Sequence, residues 1–327
     1  MTTAPRLRPR ANLALLSLVI PIFNEREMIP ILREKLTQLV PKLEVPVEVV
    51  LVDDGSADGS FDLLAEWAAA QPEVKVVSLS RNFGHQLATT AGLAHTRGEA
   101  VVILDADLQD PPELIPEMIA GYREGYDVVY GQRLAREGET AFKRATAKLF
   151  YFLMRTFVTP DLPPDTGDFR LMSRRVVDRL VEFKERDRFL RGLVTWAGFP
   201  QKALTYKRPA RAAGETKYPL VKMLKFALDA VLSFSDLPLR MIIGLGMLSV
   251  VASLGLIART FYLYYWGPVA LVPGWASTNI IICFFSGTIL LAQGVIGMYV
   301  GRIYVEAKQR PLYLVAETIN LSPGDRK

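Results

Sequence analysis

Two aspartates spaced two residues apart are the strongest chemical signal in this sequence of 327 residues. Asp105 and Asp107 follow the apolar run 101–104, which is rich in β-branched residues and typical of a buried strand. Because side chains alternate along an extended chain, both carboxylates would point the same way from the end of that strand. Such hard oxygen ligands suit Mg²⁺ or Mn²⁺ that carries a phosphate ligand. Taken alone, the pair is equally compatible with a solvated strand end.

Strand and helix patterns alternate through the first 130 residues, which predicts a doubly wound α/β domain with a mostly parallel sheet. Apolar runs predict strands at 15–21, 47–52, 74–79, 101–104 and 127–130. Helical spacing predicts helices at 27–43, 61–70, 86–95 and 174–184, and one that begins at residue 113. Ligands of open α/β sheets bind at the carboxyl ends of the strands. Polar residues follow four of these ends, at 21–25, 53–56, 80–84 and 105–109, which is typical of a nucleotide site.

The region after residue 130 has a less regular pattern. The segment 139–158 combines phenylalanines with lysines and arginines, so it predicts a helix that packs in the core or docks on a membrane surface. The segment 161–170 is rich in proline and is predicted as a loop, and it is followed later by the basic segment 202–211. The sequence therefore places the charged residues Asp168 and Arg170 on a loop.

Composition excludes several kinds of site. The single cysteine, Cys283, lies in an apolar run, so neither a disulfide framework nor a thiolate zinc site is available. The only histidines, His85 and His95, cannot form a multi-histidine metal centre, and without a partner triad both are interpreted as structural. The net charge of +5 comes without a nucleic-acid-binding motif, and basic residues beside apolar segments fit anionic lipid better. We therefore expect no nucleic-acid partner.

Two uncharged segments, 241–258 and 280–300, predict a pair of transmembrane helices at about 239–262 and 278–301. The connection between them contains no lysine or arginine, whereas basic residues flank the outer ends of both segments. By the positive-inside rule, both termini and the α/β domain are then cytoplasmic. Buried helices of a soluble protein are the alternative for such segments. Glycines in both would permit close helix packing, so a homo-oligomer is compatible with the sequence.

The predicted organisation has five parts, and membrane lipids are among the expected partners. A basic N-terminal tail at 1–14 precedes the cytoplasmic α/β domain at 15–219. An interfacial helix at 220–238 leads into the transmembrane hairpin at 239–303, and a cytoplasmic tail at 304–327 follows. We predict no signal peptide, because no small-residue cleavage site follows the first apolar run.

Several motifs, taken together, carry a resemblance to a known family. The order of 19–25, 52–56 and 105–107 resembles the family-2 inverting glycosyltransferases, which have the Rossmann-like GT-A fold. The fuller set resembles the polyprenyl-phosphate glycosyltransferases, closest to bacterial bactoprenol glucosyltransferases and related to dolichyl-phosphate mannose synthases. That set comprises 81–86, 105–112, 165–172, 214–218 and the membrane hairpin. The resemblance extends over about residues 15 to 310.

The resemblance implies roles for individual residues. Those that would bind the nucleotide sugar are Pro21, Phe23, Glu25, Asp53, Asp54, Asp105, Ala106, Arg211 and Lys217. Asp107 would hold the metal on the diphosphate, together with Gln109 and Asp105. For Asp53, capping of the following turn is the alternative role. For Arg211 and Lys217, the alternative is ordinary membrane-surface charge.

On the acceptor side, the resemblance implies that Asp168 and Arg170 form a catalytic set with Asp107. Arg133, Arg191 and Arg170 are candidates to bind an acceptor phosphate, because guanidinium groups match phosphate oxygens. A hydroxyl acceptor would need Asp168 as a general base. A lipid phosphate, with a second pKa near ~6, is already mostly a dianion at neutral pH. Asp168 could then orient Arg170 or a metal-bound water instead.

The implied activity is transfer of a single hexose, most simply glucose from UDP-glucose, onto undecaprenyl phosphate at the cytoplasmic leaflet of a bacterial inner membrane. The metal would be Mg²⁺ or Mn²⁺, and the product a β-linked polyprenyl-phosphate sugar. The donor alternatives are GDP-mannose and a UDP-amino-arabinose derivative. A processive polysaccharide synthase is disfavoured, because its Gln-x-x-Arg-Trp segment is absent. The alternative of another class is a membrane-anchored nucleotide-sugar-binding protein without catalysis.

Overall fold

The computed structural model describes residues 7–10, 12–134, 166–186, 188–206, 237–266 and 274–321. The chain divides into two compact units. One consists of Met1–Arg155, Thr159–Lys217 and Pro311–Lys327, and the other of Thr156–Val158 and Tyr218–Arg310. The predicted helix at 139–158, the residues Arg211 and Lys217, and the interfacial helix up to residue 236 lie outside the described residues.

The first unit is built on an eight-stranded sheet with the order β7-β5-β6-β4-β1-β2-β3-β8. The strands are β1 (Leu16–Ile22), β2 (Val47–Asp53), β3 (Val74–Leu79), β4 (Ala100–Ile103), β5 (Val128–Arg133), β6 (Thr166–Ser173), β7 (Gln201–Tyr206) and β8 (Val315–Ile319). The pairs β1–β2, β2–β3, β1–β4 and β5–β7 are parallel. The strand β6 is antiparallel to both of its neighbours, and β8 is antiparallel to β3.

Helices cover both faces of this sheet, as the apolar runs of its central strands require. They are α1 (Met28–Leu39), α2 (Ser60–Ala70), α3 (His85–Ala94), α4 (Ile115–Arg123), α5 (Arg174–Glu182) and α6 (Leu190–Trp196). Apolar residues of α1, α2 and α4 pack in one core cluster, and those of α3, α5 and α6 pack in a second. Short 3₁₀ turns extend α1 at Val40–Leu43 and precede α4 at Pro112–Leu114. The predicted alternation of strands and helices up to residue 130 is confirmed, and the last of these strands, β5, extends to Arg133.

The prediction of a loop over 161–170 is wrong for its described part. Residues Thr166–Ser173 form β6, which lies between β4 and β5 and is buried along its whole length. The error has a physical reason, because the preceding prolines and the charged residues Asp168 and Arg170 are typical of a loop. The strand is nevertheless an interior one, and its polar side chains contribute to a site and not to the core.

Described residues near both termini contact the body of the first unit, although each terminal segment was predicted as a tail. The C-terminal strand β8 pairs Thr318 with Val77, and the Asn320 side chain donates a hydrogen bond of 2.7 Å to the carbonyl of Ala68. Near the N-terminus, Arg10 lies 2.7 Å from the carboxylate of Asp127. These contacts join positions more than 100 residues apart, so local sequence patterns do not reveal them.

The second unit contains two long helices, α7 (Leu237–Trp266) and α8 (Trp275–Ala307), at the positions of the predicted spans. Within the described residues, one segment, Phe284–Ala307 of α8, has the length and composition to cross a membrane. The two-span hairpin therefore stays a prediction.

A buried glutamate joins three neighbouring parts of the sheet. Glu48 of β2 accepts hydrogen bonds from the Ser17 hydroxyl at 2.5 Å and from the Arg97 main-chain N–H at 2.6 Å. Its second oxygen lies 2.5 Å from the ammonium group of Lys75 on β3. Burial alone would raise the pKa of Glu48, but these partners outweigh it and lower the pKa below the usual 4.5. The folded state therefore favours the ionised carboxylate.

Because this pKa is lowered on folding, the stabilisation is present above pH 4.5 and is lost as the pH falls below it. We expect Glu48→Gln to lower the free energy of unfolding at pH 7 by about 3 kcal/mol, since it leaves Lys75 buried without a counter-charge. Denaturant unfolding at pH 7 and pH 4 measures both effects. The difference in the free energy of unfolding between Glu48→Gln and wild type should be smaller at pH 4 than at pH 7. The variant Glu66→Gln, on the exposed face of α2, should match the wild type at both pH values. An equal difference for Glu48→Gln at the two pH values would contradict the predicted pH dependence.

The packing of α3 on the sheet depends on a glycine. A methyl group at Gly92 would lie 2.4 Å from Cγ1 of Val19 and 2.9 Å from Cγ2 of Val52. We expect Gly92→Ala to destabilise the protein by about 1–3 kcal/mol through overpacking, despite the higher helix propensity of alanine. Gly244→Ala, at a helical position where a methyl group would meet no described atom within 4 Å beyond its chain neighbours and the local helix backbone, is the control. Equal melting temperatures of the two variants would contradict this prediction, because they would show that α3 moves enough to accommodate the methyl group.

Candidate active site

The antiparallel pairing of β4 with β6 brings two predicted site residues together. In this pair Ile103 lies opposite Arg170, so the carboxyl end of β4 meets the amino end of β6. Asp105 follows β4 by two residues, Asp168 is the third residue of β6, and His85 at the start of α3 lies between them. The Nε2 atom of His85 is 3.5 Å from Oδ1 of Asp105 and 3.7 Å from Oδ2 of Asp168. The two carboxylates thus share one imidazole neighbour.

The surroundings of these carboxylates shift their pKa values in opposite directions. Burial raises the pKa of Asp105 to about 6; the neighbouring His85 acts to lower this pKa, and the negative charges of Asp168, Asp110 and Asp107 act to raise it. Burial also acts to raise the pKa of Asp168, but the positive charges of Arg191 and Arg170 outweigh it and lower this pKa below its usual value. Asp168 is therefore ionised at neutral pH, whereas Asp105 takes up a proton at a higher pH than an ordinary aspartate does.

Two of the three predicted phosphate-binding arginines lie beside Asp168. The Nε atom of Arg191 is 3.4 Å from Oδ1 of Asp168, and its Nη1 donates to the carbonyl of Thr166 at 2.7 Å. Arg170 is 4% exposed and donates from Nη2 to the carbonyl of Gly167 at 2.8 Å. Burial lowers the pKa of Arg170 to about 10, so the side chain remains charged at pH 7. Neither Nε atom has a hydrogen-bond partner among the described residues.

The third arginine, Arg133, lies in a different environment. Its Nη2 is 3.2 Å from Asp110, and its Nε donates to the Tyr206 hydroxyl at 3.2 Å. The same hydroxyl donates a short hydrogen bond to Asp110, which is fully buried. We call Asp110, Arg133 and Tyr206 the Asp110 cluster. Because its guanidinium is already engaged, the geometry favours a structural role for Arg133 over the predicted contact with an acceptor phosphate.

On the nucleotide side, Asp53 and Asp54 each hold a loop in place. Both oxygens of Asp54 accept main-chain hydrogen bonds, from Phe83 at 2.7 Å and from Gly84 at 2.9 Å. Asp54 is 2% exposed, and burial raises its pKa. Asp53 accepts from the main-chain N–H of Ser56 at 3.1 Å, which is the turn-capping role that the sequence left open. These contacts order the loops at the predicted nucleotide site, and direct contact of either aspartate with a nucleotide stays a prediction.

The turn after Asp54 also requires a glycine. Gly55 has a φ of +71°, and a methyl group there would lie 2.5 Å from the carbonyl carbon of Arg81.

The other predicted nucleotide contacts differ in accessibility: Phe23 is 45% exposed, Glu25 is half-buried, and Pro21 and Ala106 are buried. Of these, Phe23 has the exposed ring that could stack on a base. All four contacts stay predictions.

The loop after β4 has the chemistry for a divalent cation. Oδ1 of Asp105 is buried and has no hydrogen-bond partner among the described residues. Asp107 is half-buried, and its Oδ1 accepts from the main-chain N–H of Gln109 at 3.1 Å. The described residues contain no group of three or more His, Cys, Asp or Glu arranged to hold a metal. Two carboxylates fit Mg²⁺ or Mn²⁺ when diphosphate oxygens and water complete the shell. The buried Gln109 as a third ligand stays a prediction.

Sequence reasoning missed two residues of this site. His85, interpreted as structural, lies between the two carboxylates instead and has a side chain that is 43% exposed. Gln86 donates from Nε2 to Oδ2 of Asp168 at 2.8 Å. The available signal was their position directly after the polar end of β3, where a helix begins. His95, in contrast, is buried with Nδ1 2.7 Å from the carbonyl of Ala91, as a structural histidine would be.

Comparison with known proteins identifies the family. The model of Glycosyl transferase family 2 matches residues 17–181, which include all of β1 to β4 except Leu16, together with Asp105, Asp107 and Asp168. The chain belongs to glycosyl transferase family 2. Its first unit is accordingly an α/β domain of the GT-A type with a mostly parallel sheet, as the motifs predicted.

Two relatives and one solved structure show the extent of the similarity. The chain is 46% identical to the uncharacterized glycosyltransferase YkcC of Bacillus subtilis, over 93% of this chain and 94% of the relative. It is 39% identical to a protein of Shigella phage SfX named bactoprenol glucosyl transferase, over 92% and 98%. Glucosyl-3-phosphoglycerate synthase from Mycobacterium tuberculosis, solved with Mn²⁺, UDP and glucosyl-3-phosphoglycerate, is 21% identical over 67% of this chain and 78% of that chain, with a TM-score of 0.45.

The Asp110 cluster allows a test of the role of Arg133. We expect Tyr206→Phe to destabilise the protein by about 1.5–3 kcal/mol, because it removes a hydrogen bond to the buried carboxylate of Asp110. We expect Arg133→Lys to show the same kinetic pattern as Tyr206→Phe: a raised KM for the sugar donor, through a displaced loop 105–110, and an unchanged KM for the acceptor. Steady-state kinetics and thermal unfolding measure both effects. A rise in the acceptor KM in Arg133→Lys alone would restore Arg133 to the acceptor site.

Proposed function

We propose that this protein transfers a single glucose from UDP-glucose to undecaprenyl phosphate, with inversion at the anomeric carbon. The observation that carries the proposal is the meeting of Asp105, at the end of a donor-side strand, with Asp168, at the start of β6, on either side of His85. This arrangement allows a nucleotide sugar and an anionic acceptor to meet at one point. The similarity to proteins named bactoprenol glucosyl transferase, which extends over 92% or more of the chain, supports the choice of sugar and lipid.

The acceptor side of the site fits a phosphate better than a hydroxyl. Asp168 is ionised and fixed by Gln86 and Arg191, so a proton on an incoming hydroxyl would have to pass to a carboxylate with a lowered pKa. A lipid phosphate is already mostly a dianion at neutral pH and needs no such base. In our proposal the guanidinium of Arg191 binds this phosphate, and Asp168, which lies 3.4 Å from its Nε atom, orients it. Arg170, which is more deeply buried, supplies positive charge beside them.

In the proposed reaction, a phosphate oxygen of the lipid attacks the anomeric carbon from the face opposite UDP. A new carbon–oxygen bond forms as the bond from that carbon to the β-phosphate oxygen of UDP breaks, which yields a β-linked glucosyl phosphate lipid and free UDP. Mg²⁺ or Mn²⁺, held by Asp105 and Asp107, would offset the negative charge that develops on the departing diphosphate. Phe23 and Glu25 border the nucleoside, and Arg133 and Tyr206 hold the loop 105–110 through Asp110.

The acceptor lipid requires the site to work beside a membrane. The apolar segment Phe284–Ala307 of α8 exposes large side chains, such as Leu290 at 68% and Leu291 at 72%, which suit the interior of a bilayer. We propose that α7 and α8 form a two-span anchor in the bacterial inner membrane. The distribution of lysine and arginine supports a cytoplasmic position for the catalytic unit and both termini in this proposal.

The test of this function is transfer of radiolabelled glucose from UDP-glucose to undecaprenyl phosphate by the purified full-length protein. We expect lipid-linked label that requires Mg²⁺ or Mn²⁺ and is abolished by a chelator. Asp107→Asn and Asp168→Asn should each lower the rate by about 10²–10³-fold, the usual effect of removing one preorganised charged group from an active site. Asp62→Asn, on the exposed side of α2, is the matched control and should retain the wild-type rate.

Parallel reactions with GDP-mannose and with a UDP-amino-arabinose derivative test the choice of donor. Label from one of these donors alone would keep the chemistry and change the sugar. Folded protein that binds nucleotide sugar but transfers no label from any donor would favour the membrane-anchored binding protein without catalysis.

A further inference from the structure

Gln86 connects three elements of the candidate site through one amide group. Its Nε2 donates to Oδ2 of Asp168 on β6 at 2.8 Å, and its Oε1 accepts from the main-chain N–H of Leu190 at 3.0 Å. Gln86 itself lies in the first turn of α3, and Leu190 is the first residue of α6. Because a carboxylate needs a donor and an N–H needs an acceptor, these two partners fix the orientation of the amide.

The partners of Gln86 are also the neighbours of Arg191. Arg191 follows Leu190 directly, and its Nε lies 3.4 Å from Oδ1 of Asp168, the carboxylate oxygen that Gln86 does not contact. Gln86 therefore holds Asp168 from one side and the start of α6 from the other. The N-terminus of α6 has no side-chain cap from Phe189, so the amide oxygen of Gln86 supplies the acceptor for its first N–H.

A second contact fixes the helix turn that carries Gln86. The Thr90 hydroxyl donates to the carbonyl of Gln86 at 2.8 Å, and the buried Arg188 donates to the same hydroxyl oxygen at 3.2 Å. Arg188 also donates to the carbonyl of Leu180 at 3.2 Å. These hydrogen bonds thus fix α3, α5 and the start of α6 relative to one another close to Gln86.

We propose that Gln86 is a positioning residue for the acceptor half of the reaction. It sets the distance and direction between the Asp168 carboxylate and the Arg191 guanidinium, and so the place where the acceptor phosphate binds. The inference rests on the proposed function for the identity of that acceptor. Gln86 touches neither substrate in this account and acts through Asp168 and Arg191.

Two substitutions separate this role from a merely structural one. Gln86→Glu keeps the side-chain length and the acceptor for the Leu190 N–H, but it loses the donor and places a second negative charge against Asp168. Gln86→Met keeps a similar volume and loses both hydrogen bonds. If Gln86 only caps α6, the glutamate variant should behave like the wild type and the methionine variant should be the more impaired. If Gln86 positions Asp168, the glutamate variant should instead be more impaired than the methionine variant.

We expect the kcat for transfer to undecaprenyl phosphate to fall by about 10-fold in Gln86→Met and by about 100-fold in Gln86→Glu, as removal of a hydrogen bond to a charged group and addition of a repulsive charge would produce. The KM for UDP-glucose should stay within about twofold of the wild type. The reason is that the loops predicted to bind the donor are held by Asp54 and by the Asp110 cluster, and not by Gln86. Gln38→Glu, at an exposed position of α1, is the matched control and should change neither constant. Equal rates for wild type and both variants, or a larger loss in the methionine variant, would overturn the proposal.

Binding of undecaprenyl phosphate to the purified protein in detergent micelles gives a readout independent of turnover. The apparent Kd for this lipid phosphate should rise from wild type to Gln86→Met to Gln86→Glu, and undecaprenol, which lacks the phosphate, should show no such order. If the three proteins bind the lipid phosphate in this order but the wild type transfers no glucose, the proposed function fails and the positioning role stands. If the wild type transfers glucose and the variants bind and react as it does, the positioning role fails alone.

Discussion

The pairing of β4 with the antiparallel strand β6 is the constraint on which the rest of the site depends. Four neighbouring parallel strands present their carboxyl ends, and their polar residues, at one edge of the sheet. A strand that runs the other way presents its amino end at that same edge. The first residues of β6 therefore lie beside the residues that follow β4, and Asp168 reaches the carboxylate of Asp105 through His85. A parallel strand in this position would carry Asp168 to the opposite edge.

Charged residues inside a central strand destabilise a protein unless each has a partner. Here Asp168 is balanced by Arg170, Arg191 and the amide of Gln86, and its pKa is lowered although it is buried. Asp105 has no comparable set of partners among the described residues, and its pKa is raised to about 6. A carboxylate left in this condition is typical of functional sites, where a bound ion or substrate completes the charge balance. The contrast between the two aspartates is consistent with a cation on the donor side and an anion on the acceptor side.

Distant contacts then hold the loops around these carboxylates. The Asp110 cluster ties the loop after β4 to the ends of β5 and β7, and Asp54 ties the loop after β3 to the turn after β2. The strand β8, which comes from the C-terminal end of the chain, covers the edge of β3, and its neighbour Leu314 accepts a hydrogen bond of 2.9 Å from the N–H of Ser80. The loop 80–84, which leads into α3 with His85 and Gln86, is therefore held by Asp54 at one end and by Leu314 at the other.

The sequence by itself determined the parts of this protein that depend on local patterns. Apolar runs and helical spacing predicted the strands and helices up to residue 130, and polar strand ends predicted the edge where the site lies, because these features repeat within a few residues. The order of motifs also predicted the family. The tertiary structure alone decided which residues meet: β6 as an interior strand, β8 at the sheet edge, Arg133 with Asp110, and His85 and Gln86 with Asp168. These contacts join residues from 23 to more than 200 positions apart, and no local pattern encodes which charged side chain will balance another in the folded core.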